Sequence, residues 1–129
     1  MPLILSGFST LKSKVEFDRV FSGHKEFSRN GVGIYFALLK NAPFRYGIVI
    51  PKRFGGAVER NKTRRQIKEL IRLREKVPEN VEIVICIYKS CQYLNFDLIK
   101  NTLYWALDII SRKAKKHLRE SQFSLGSPI

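Results

Sequence analysis

The residues of this chain with the clearest chemical potential are the cations that follow Gly55 and Gly56. Between Arg60 and Lys76 the sequence contains eight Lys or Arg residues and only two acids. At 3.6 residues per turn, four of these cations fall on one stripe of a helix: Arg60, Arg64, Lys68 and Arg72. Like charges at this spacing repel each other and weaken an isolated helix. The pattern therefore indicates an anionic partner that relieves the repulsion.

The composition points to the same kind of partner. The 129 residues include 24 Lys and Arg against 11 Asp and Glu, a formal net charge of +13. So basic a chain is typical of a nucleic-acid-binding protein, and an anionic membrane surface is the other candidate. No run approaches the roughly 20 consecutive apolar residues that span a bilayer. Nucleic acid is therefore the favoured partner.

The length and the hydrophobic fraction of 44% suit one folded domain over residues 1–129. We expect order over about 9–118 and flexible ends at 1–8 and 119–129. Cys86 and Cys91 fit no metal or redox spacing, and we interpret them as reduced thiols of a cytoplasmic protein.

Side chains for protein-based catalysis are scarce. The chain has two histidines, His24 after a helix-ending glycine and His117 in a basic segment, and we expect both to be solvated side chains. Metal-dependent nucleases need several converging carboxylates, and the acids of this chain are scattered. We therefore predict no catalytic residue and no metal site in the protein.

Hydrophobic periodicity predicts an α+β two-layer sandwich in the order α-β-β-β-α-β-α, a small mixed sheet with helices packed on it. The predicted helices cover 12–22, 58–75 and Asn95 to about Leu118. The predicted strands cover 32–39, 45–50 and 81–88, with a further short strand near 25–30. We expect the strands at 32–39 and 45–50 to form a hairpin, and the nearly all-apolar strand at 81–88 to be covered on both faces.

The glycine pair at 55–56 leaves two interpretations open. Backbone amides at the start of a helix can hold a phosphate. The same glycines can simply form a turn, since the segment is neither a Walker loop nor a dinucleotide fingerprint.

The segment from Pro51 to Glu69 closely resembles the signature of the bacterial ribonuclease P protein subunit. That family shows a Lys-Lys-x-Gly-x-Ala-Val run followed by Arg-Asn-Arg-x-Lys-Arg-x-x-Arg-Glu. This chain has Pro-Lys-Arg-Phe-Gly-Gly-Ala-Val at 51–58 and Arg-Asn-Lys-Thr-Arg-Arg-Gln-Ile-Lys-Glu at 60–69, without a gap. Upstream, the 16–21 segment resembles the family's opening helix, and the resemblance covers about residues 9–115. Four positions depart from the family pattern: Gly56, Lys62, Lys68 and Tyr88.

The resemblance implies a protein cofactor of the ribonuclease P ribozyme. Such a subunit binds the catalytic RNA and the 5′ leader of precursor tRNA, and promotes Mg²⁺-dependent endonucleolytic removal of the leader. It implies a catalytic site in the RNA, Mg²⁺ bound mainly by that RNA, and one protein monomer per RNA. It also implies an unusual left-handed strand-helix-strand crossover, where the general expectation is right-handed.

The resemblance also assigns residues to two surfaces. The surface facing the catalytic RNA and the substrate comprises Lys52, Arg53, Arg60, Asn61, Lys62, Arg64, Arg65 and Lys68. The leader-binding cleft between the first helix and the open sheet face comprises Phe17, Phe21, Tyr35, Ile48 and Ile50. Unpaired bases stack on such aromatic side chains with little sequence preference. Phenylalanines four residues apart on a helix are equally typical of a core, so both roles stay open for Phe17 and Phe21.

Two other classes of protein remain possible from the residues alone. A basic ribosomal protein would share the charge and the α/β layers without a leader cleft. A protein-only nuclease would cleave without added RNA, and the missing carboxylate cluster disfavours it.

Overall fold

A computed structural model of the chain describes residues 9–22, 26–74 and 76–126. Within these residues five strands form one mixed sheet: β1 (Ser9–Thr10), β2 (Glu26–Arg29), β3 (Val32–Leu38), β4 (Arg45–Val49) and β5 (Val81–Ile87). Three α-helices cover it: α1 (Lys14–Phe21), α2 (Ala57–Leu73) and α3 (Phe96–Gly126). Single 3₁₀ turns lie at Lys52–Phe54 and Cys91–Tyr93. The predicted α+β class and its order α-β-β-β-α-β-α are confirmed, with the two-residue β1 added in front.

The strand order is β1-β4-β5-β3-β2. Strand β5 pairs in parallel with β4 and antiparallel with β3. The predicted hairpin between the strands at 32–39 and 45–50 is therefore wrong, because β5 lies between them. All seven residues of β5 are buried, and the central position is where an apolar strand hides both of its faces.

The short strand predicted near 25–30 is confirmed as β2, which forms a tight hairpin with β3. Asn30 and Gly31 make its two-residue loop, with φ angles of 56° and 78°. Positive φ at both positions is the geometry of a type I′ turn, which Asn-Gly favours.

The parallel β4-α2-β5 unit is also confirmed, while the handedness of its crossover stays a prediction. Alternate residues of the sheet face two separate apolar layers. Helices α2 and α3 cover one face over the larger core, which includes Ile34, Ile83 and Ile85. Helix α1 covers the other face over a smaller core around Val20 and Val84. The two layers place different chemistry on opposite sides of the sheet.

The helix starts follow local sequence signals. Ser13 and Glu16 form a reciprocal capping box at α1. The Asn95 side chain accepts a hydrogen bond from the Leu98 N–H at the start of α3. Helix α3 was predicted to end near Leu118 but continues to Gly126. Its last turns contain no proline, and Gly126 followed by Pro128 is the first strong stop signal. Flexibility at either end of the chain stays a prediction.

Candidate nucleic-acid interface

Helix α2 presents a polar outer surface because its inner surface is fixed by the core. Ile67, Leu70 and Ile71 are buried against the sheet, as the sequence predicts. The exposed polar positions of the helix include Asn61, Lys62, Arg65 and Lys68. No ion pair joins Lys62, Arg65 or Lys68 to a carboxylate within the residues that the structure describes. These cations are therefore available to phosphates.

The remaining cations of the predicted stripe are more constrained. Arg60 is half-buried and donates from its guanidinium to the Gly55 carbonyl at 2.9 Å, which ties the helix to the preceding turn. Arg64 is half-buried as well. Arg72 pairs with Glu69 one turn earlier, and this pairing lowers the pKa of Glu69 and raises that of Arg72. The cations of the stripe therefore become more exposed to solvent from Arg60 toward Arg72.

The turn before α2 adds two further cations. Lys52 and Arg53 are exposed, while Phe54 between them and the helix is buried and anchors the turn. Gly56 is the N-cap residue of α2, and among the described residues no side chain caps the first turn. The amides of that turn are thus not engaged by a capping side chain, and phosphate binding there stays a prediction.

The opposite sheet face carries the aromatic residues of the predicted cleft. Phe17 is half-buried over β4, and a side chain on Gly47 would lie 2.5 Å from the Phe17 ring. Phe21 is 37% exposed and meets Tyr35 edge-on, with ring centroids 4.8 Å apart. The glycine lets the first ring approach the strand closely, and the second ring stays accessible from solvent. Of the two roles left open for these phenylalanines, Phe17 therefore has the core role and Phe21 has the exposed role.

Two residues predicted for the cleft lie elsewhere. Ile48 and Ile50 pack into the α2/α3 core on the other sheet face, so their placement beside Phe17 is wrong. The physical reason is the two-residue alternation of a strand: Gly47 faces α1, so its neighbour Ile48 must face away.

The same alternation identifies cleft residues that the sequence prediction missed. Val49 shares the face of Gly47 and is 38% exposed, and its register partner on β5 is Cys86. Tyr88 continues the Cys86 face and is 40% exposed. The sequence shows which residues lie two positions away from Gly47 and Cys86 and so share their face of the sheet. It does not show which face α1 covers.

The carboxylate of Glu26 lies next to Tyr88 at one side of this aromatic surface. The Tyr88 hydroxyl donates to Glu26 on β2, and partial burial together with this bond raises the pKa of Tyr88. Burial, reinforced by the negative charge of Glu26, raises the pKa of the Cys86 thiol to about 11. Cys86 is thus a buried, protonated thiol that forms no disulfide.

A network of charges fixes α1 over the sheet at its other end. Glu82 of β5 is only 2% exposed and accepts two bonds of 2.7 Å from the Arg19 guanidinium. Arg45 contacts both Glu82 and Glu16. The bond from Arg45, with two backbone N–H bonds from Lys12 and Ser13, lowers the pKa of Glu16 to about 2. The network holds the helix that carries Phe17 and Phe21.

Among the described residues, no three His, Cys, Asp or Glu side chains converge so as to hold a metal ion. No helix in the same part of the chain is long and apolar enough to cross a membrane.

An α+β sandwich with unpaired cations on α2 and exposed aromatics on the opposite sheet face is the arrangement of an RNA-binding protein. The family model for ribonuclease P matches residues 5–111. The chain belongs to the ribonuclease P protein family. It is 33% identical over 95 residues to the ribonuclease P protein component of Acholeplasma laidlawii, covering 73% of this chain and 82% of that one. The Mesoplasma florum component is 38% identical over 90 residues, covering 67% and 81%.

Solved structures show the same fold. The Staphylococcus aureus RNase P protein superposes with a TM-score of 0.70 at 24% identity, covering 81% of this chain and 96% of that one. The Thermotoga maritima RNase P protein gives a TM-score of 0.67 at 24% identity, with the same coverage. Family membership makes the chain a subunit of an endoribonuclease that removes 5′ leaders from precursor tRNA together with its RNA subunit.

Proposed function

We propose that this chain acts as the protein cofactor of a catalytic RNA, binding that RNA through α2 and the precursor leader through the aromatic face under α1. One observation carries the proposal: the two surfaces meet at one edge of the sheet. The parallel strands β4 and β5 end there, so Val49 and Tyr88 lie at the edge from which Lys52, Arg53 and the first turn of α2 continue.

The basic surface supplies affinity without reading sequence. Each Lys or Arg that neutralises a phosphate releases condensed counterions, and this release drives association. Lys62 and Lys68 keep the charge of the family's arginines but lack the bidentate fork. We therefore expect phosphate contacts that are sensitive to salt and tolerant of sequence.

The α1 face supplies a stacking platform for unpaired nucleotides. Phe21 and Tyr35 present ring edges and faces that any base can contact, which suits leaders of variable sequence. Val49 and Tyr88 extend the platform toward Lys52, where a backbone phosphate can be neutralised. Glu26 is positioned to accept hydrogen bonds from exocyclic amino groups of a bound base.

The chemical step belongs to the RNA in this proposal, and Mg²⁺ is bound mainly by that RNA. The family's single-monomer stoichiometry is proposed for this chain as well, and so is the cytoplasmic location. The protein's own residues hold the leader and neutralise charge near the cleavage site, and none of them transfers a proton.

The deciding experiment is precursor-tRNA cleavage at low Mg²⁺ with bacterial ribonuclease P RNA, with and without this protein. We expect strong protein-dependent cleavage at the leader junction and none with protein alone. Tight binding without stimulation would instead indicate a basic RNA-binding domain of the ribosomal type. Cleavage by the protein alone would indicate a protein-only nuclease.

A further inference from the structure

A groove of about 820 Å³ lies at the opposite edge of the sheet from the proposed cleft opening. Its walls are the loop before β4, the segment between α2 and β5, and the middle turns of α3 at residues 108–118. The apolar part of its lining includes Phe44, Val77, Pro78, Ala114 and Leu118. A groove of this size is in the range of small-ligand sites, which combine an apolar floor with a few polar groups.

The rim of the groove is positively charged. Lys76, Arg112 and Lys115 line it and are exposed. Within the described residues, none of the three forms an ion pair. Of the two acids in the lining, Asp108 is paired with Arg74, which leaves Glu79 as the opposing charge. The groove thus combines a net positive rim with an apolar floor.

Hydrogen bonds between separate segments hold the walls in place. The Asn80 N–H donates to the Ala42 carbonyl and the Ala42 N–H donates to the Asn80 side chain, both at 2.8 Å. Across the groove, Arg74 lies 5.0 Å from the Tyr104 ring centroid and donates to the Lys76 carbonyl at 2.9 Å. Because the walls are joined before anything binds, a ligand pays little ordering entropy.

The position of the groove separates it from both proposed surfaces. It lies on the α2/α3 side of the sheet, where β4 and β5 begin, whereas the aromatic face opens where they end. The seven residues of β5 span roughly 20 Å between these edges. In addition, Arg112, Lys115 and Leu118 lie beyond residue 111, where the match to the family model stops.

We propose that this groove binds unpaired nucleotides of the ribonuclease P RNA subunit, with a base against the apolar floor and its phosphates on Lys76, Arg112 and Lys115. Double-stranded RNA would offer only its phosphates and leave the floor unused, whereas an unpaired nucleotide satisfies both parts. The choice of the RNA subunit over the leader rests on the proposed function, which places the leader on the other face.

The test compares two double variants of the full-length chain for affinity to bacterial ribonuclease P RNA. Arg112→Ala with Lys115→Ala removes two rim charges, and Lys113→Ala with Lys116→Ala removes two exposed charges of the same helix that do not line the groove. Losing two phosphate contacts should weaken affinity about tenfold near 0.15 M salt and lower the salt slope by about 1.4. The control pair should change affinity less than about threefold.

A third variant tests the floor without changing charge. Ser111→Phe places a ring in the groove and should weaken binding of the RNA subunit while the melting temperature stays near that of the parent. Equal losses in the groove and control pairs would overturn the proposal. So would unchanged RNA-subunit affinity together with weaker binding of leader-bearing precursor, which would assign the groove to the leader. A parent chain that fails to bind the RNA would overturn the proposed function as well.

Discussion

Single residues decide how firmly α1 is held over the sheet. Glu82 is a carboxylate buried in the central strand, and it is compensated by Arg19 and Arg45 from two different elements. Removing one partner of such a network leaves an uncompensated charge in a dry site, which is costly. The same arginine, Arg45, reaches Glu16 at the start of α1. Stability and the placement of the aromatic rings are therefore coupled through a few ionised groups.

The ionisation of Glu16 makes the stability of the fold depend on pH. The pKa of its carboxyl in the folded state is about 2, below the ordinary glutamate value of 4.5. A carboxyl with a depressed folded pKa stabilises the native state above its unfolded pKa, and loses that contribution as pH falls through the folded pKa. We expect the parent chain to lose stability between about pH 4.5 and 2 partly through Glu16. Urea unfolding of the parent and of Glu16→Gln at several pH values measures this.

Gln at position 16 still accepts the backbone bonds of a capping box but has no charge to titrate. The difference in unfolding free energy between parent and variant should therefore shrink as pH falls across that window. A difference that stays constant from pH 6 to pH 2 would contradict the role assigned to the Arg45 pair.

The exposed ring of Phe21 provides a residue-level test of the leader platform. Phe21→Ala should weaken holoenzyme affinity for leader-bearing precursor tRNA about tenfold, since stacking is worth about 1–3 kcal/mol per base. Affinity for mature tRNA should not change. The matched control is Phe96→Ala, because Phe96 is 39% exposed at the start of α3. Equal losses for precursor and mature tRNA would point to a packing role for Phe21.

At the scale of elements, one side of α2 packs into the core and the other side is available for binding. Ile67 and Ile71 face the core and are fully buried, whereas Arg65 and Lys68 face solvent. Because the outward cations repel one another, they add nothing to the stability of the isolated helix. Their concentration on one element is explained by an external anion.

Reversing both charges, Arg65→Glu with Lys68→Glu, should therefore leave the melting temperature unchanged or slightly higher. Holoenzyme cleavage of precursor tRNA at low Mg²⁺ should fall tenfold or more, because two phosphate contacts become repulsive. Lys113→Glu with Lys116→Glu makes the same change in net charge away from the proposed interface. If that pair lost as much activity as the α2 pair, the effect would come from overall charge and not from α2.

At the scale of the whole molecule, local signals were readable from the sequence and non-local ones were not. The Ser13 capping box, the Asn95 cap and the buried side of α2 depend on residues a few positions apart, and they are as predicted. The pairing of β4 with β5 joins residues more than 30 positions apart, and no local pattern specifies it. That pairing decides which strand face α1 covers, so Ile48 and Ile50 were misplaced while Val49 was missed.

The net charge of +13 leads to a final prediction about the whole molecule, which concerns how its affinity for RNA depends on salt. The proposed interface on α2 and the turn before it has seven cations, which would neutralise about seven phosphates: Lys52, Arg53, Arg60, Lys62, Arg64, Arg65 and Lys68. We expect affinity for ribonuclease P RNA to fall by more than about 10³-fold between 50 and 200 mM monovalent salt at constant Mg²⁺. Binding titrations across that range measure the slope. If the groove beside the middle of α3 also binds RNA, the parent slope should be steeper still and should fall when Arg112 and Lys115 are neutralised. If the affinity hardly changed with salt concentration, phosphate contacts would not drive the association. That result would contradict both proposed RNA-binding surfaces.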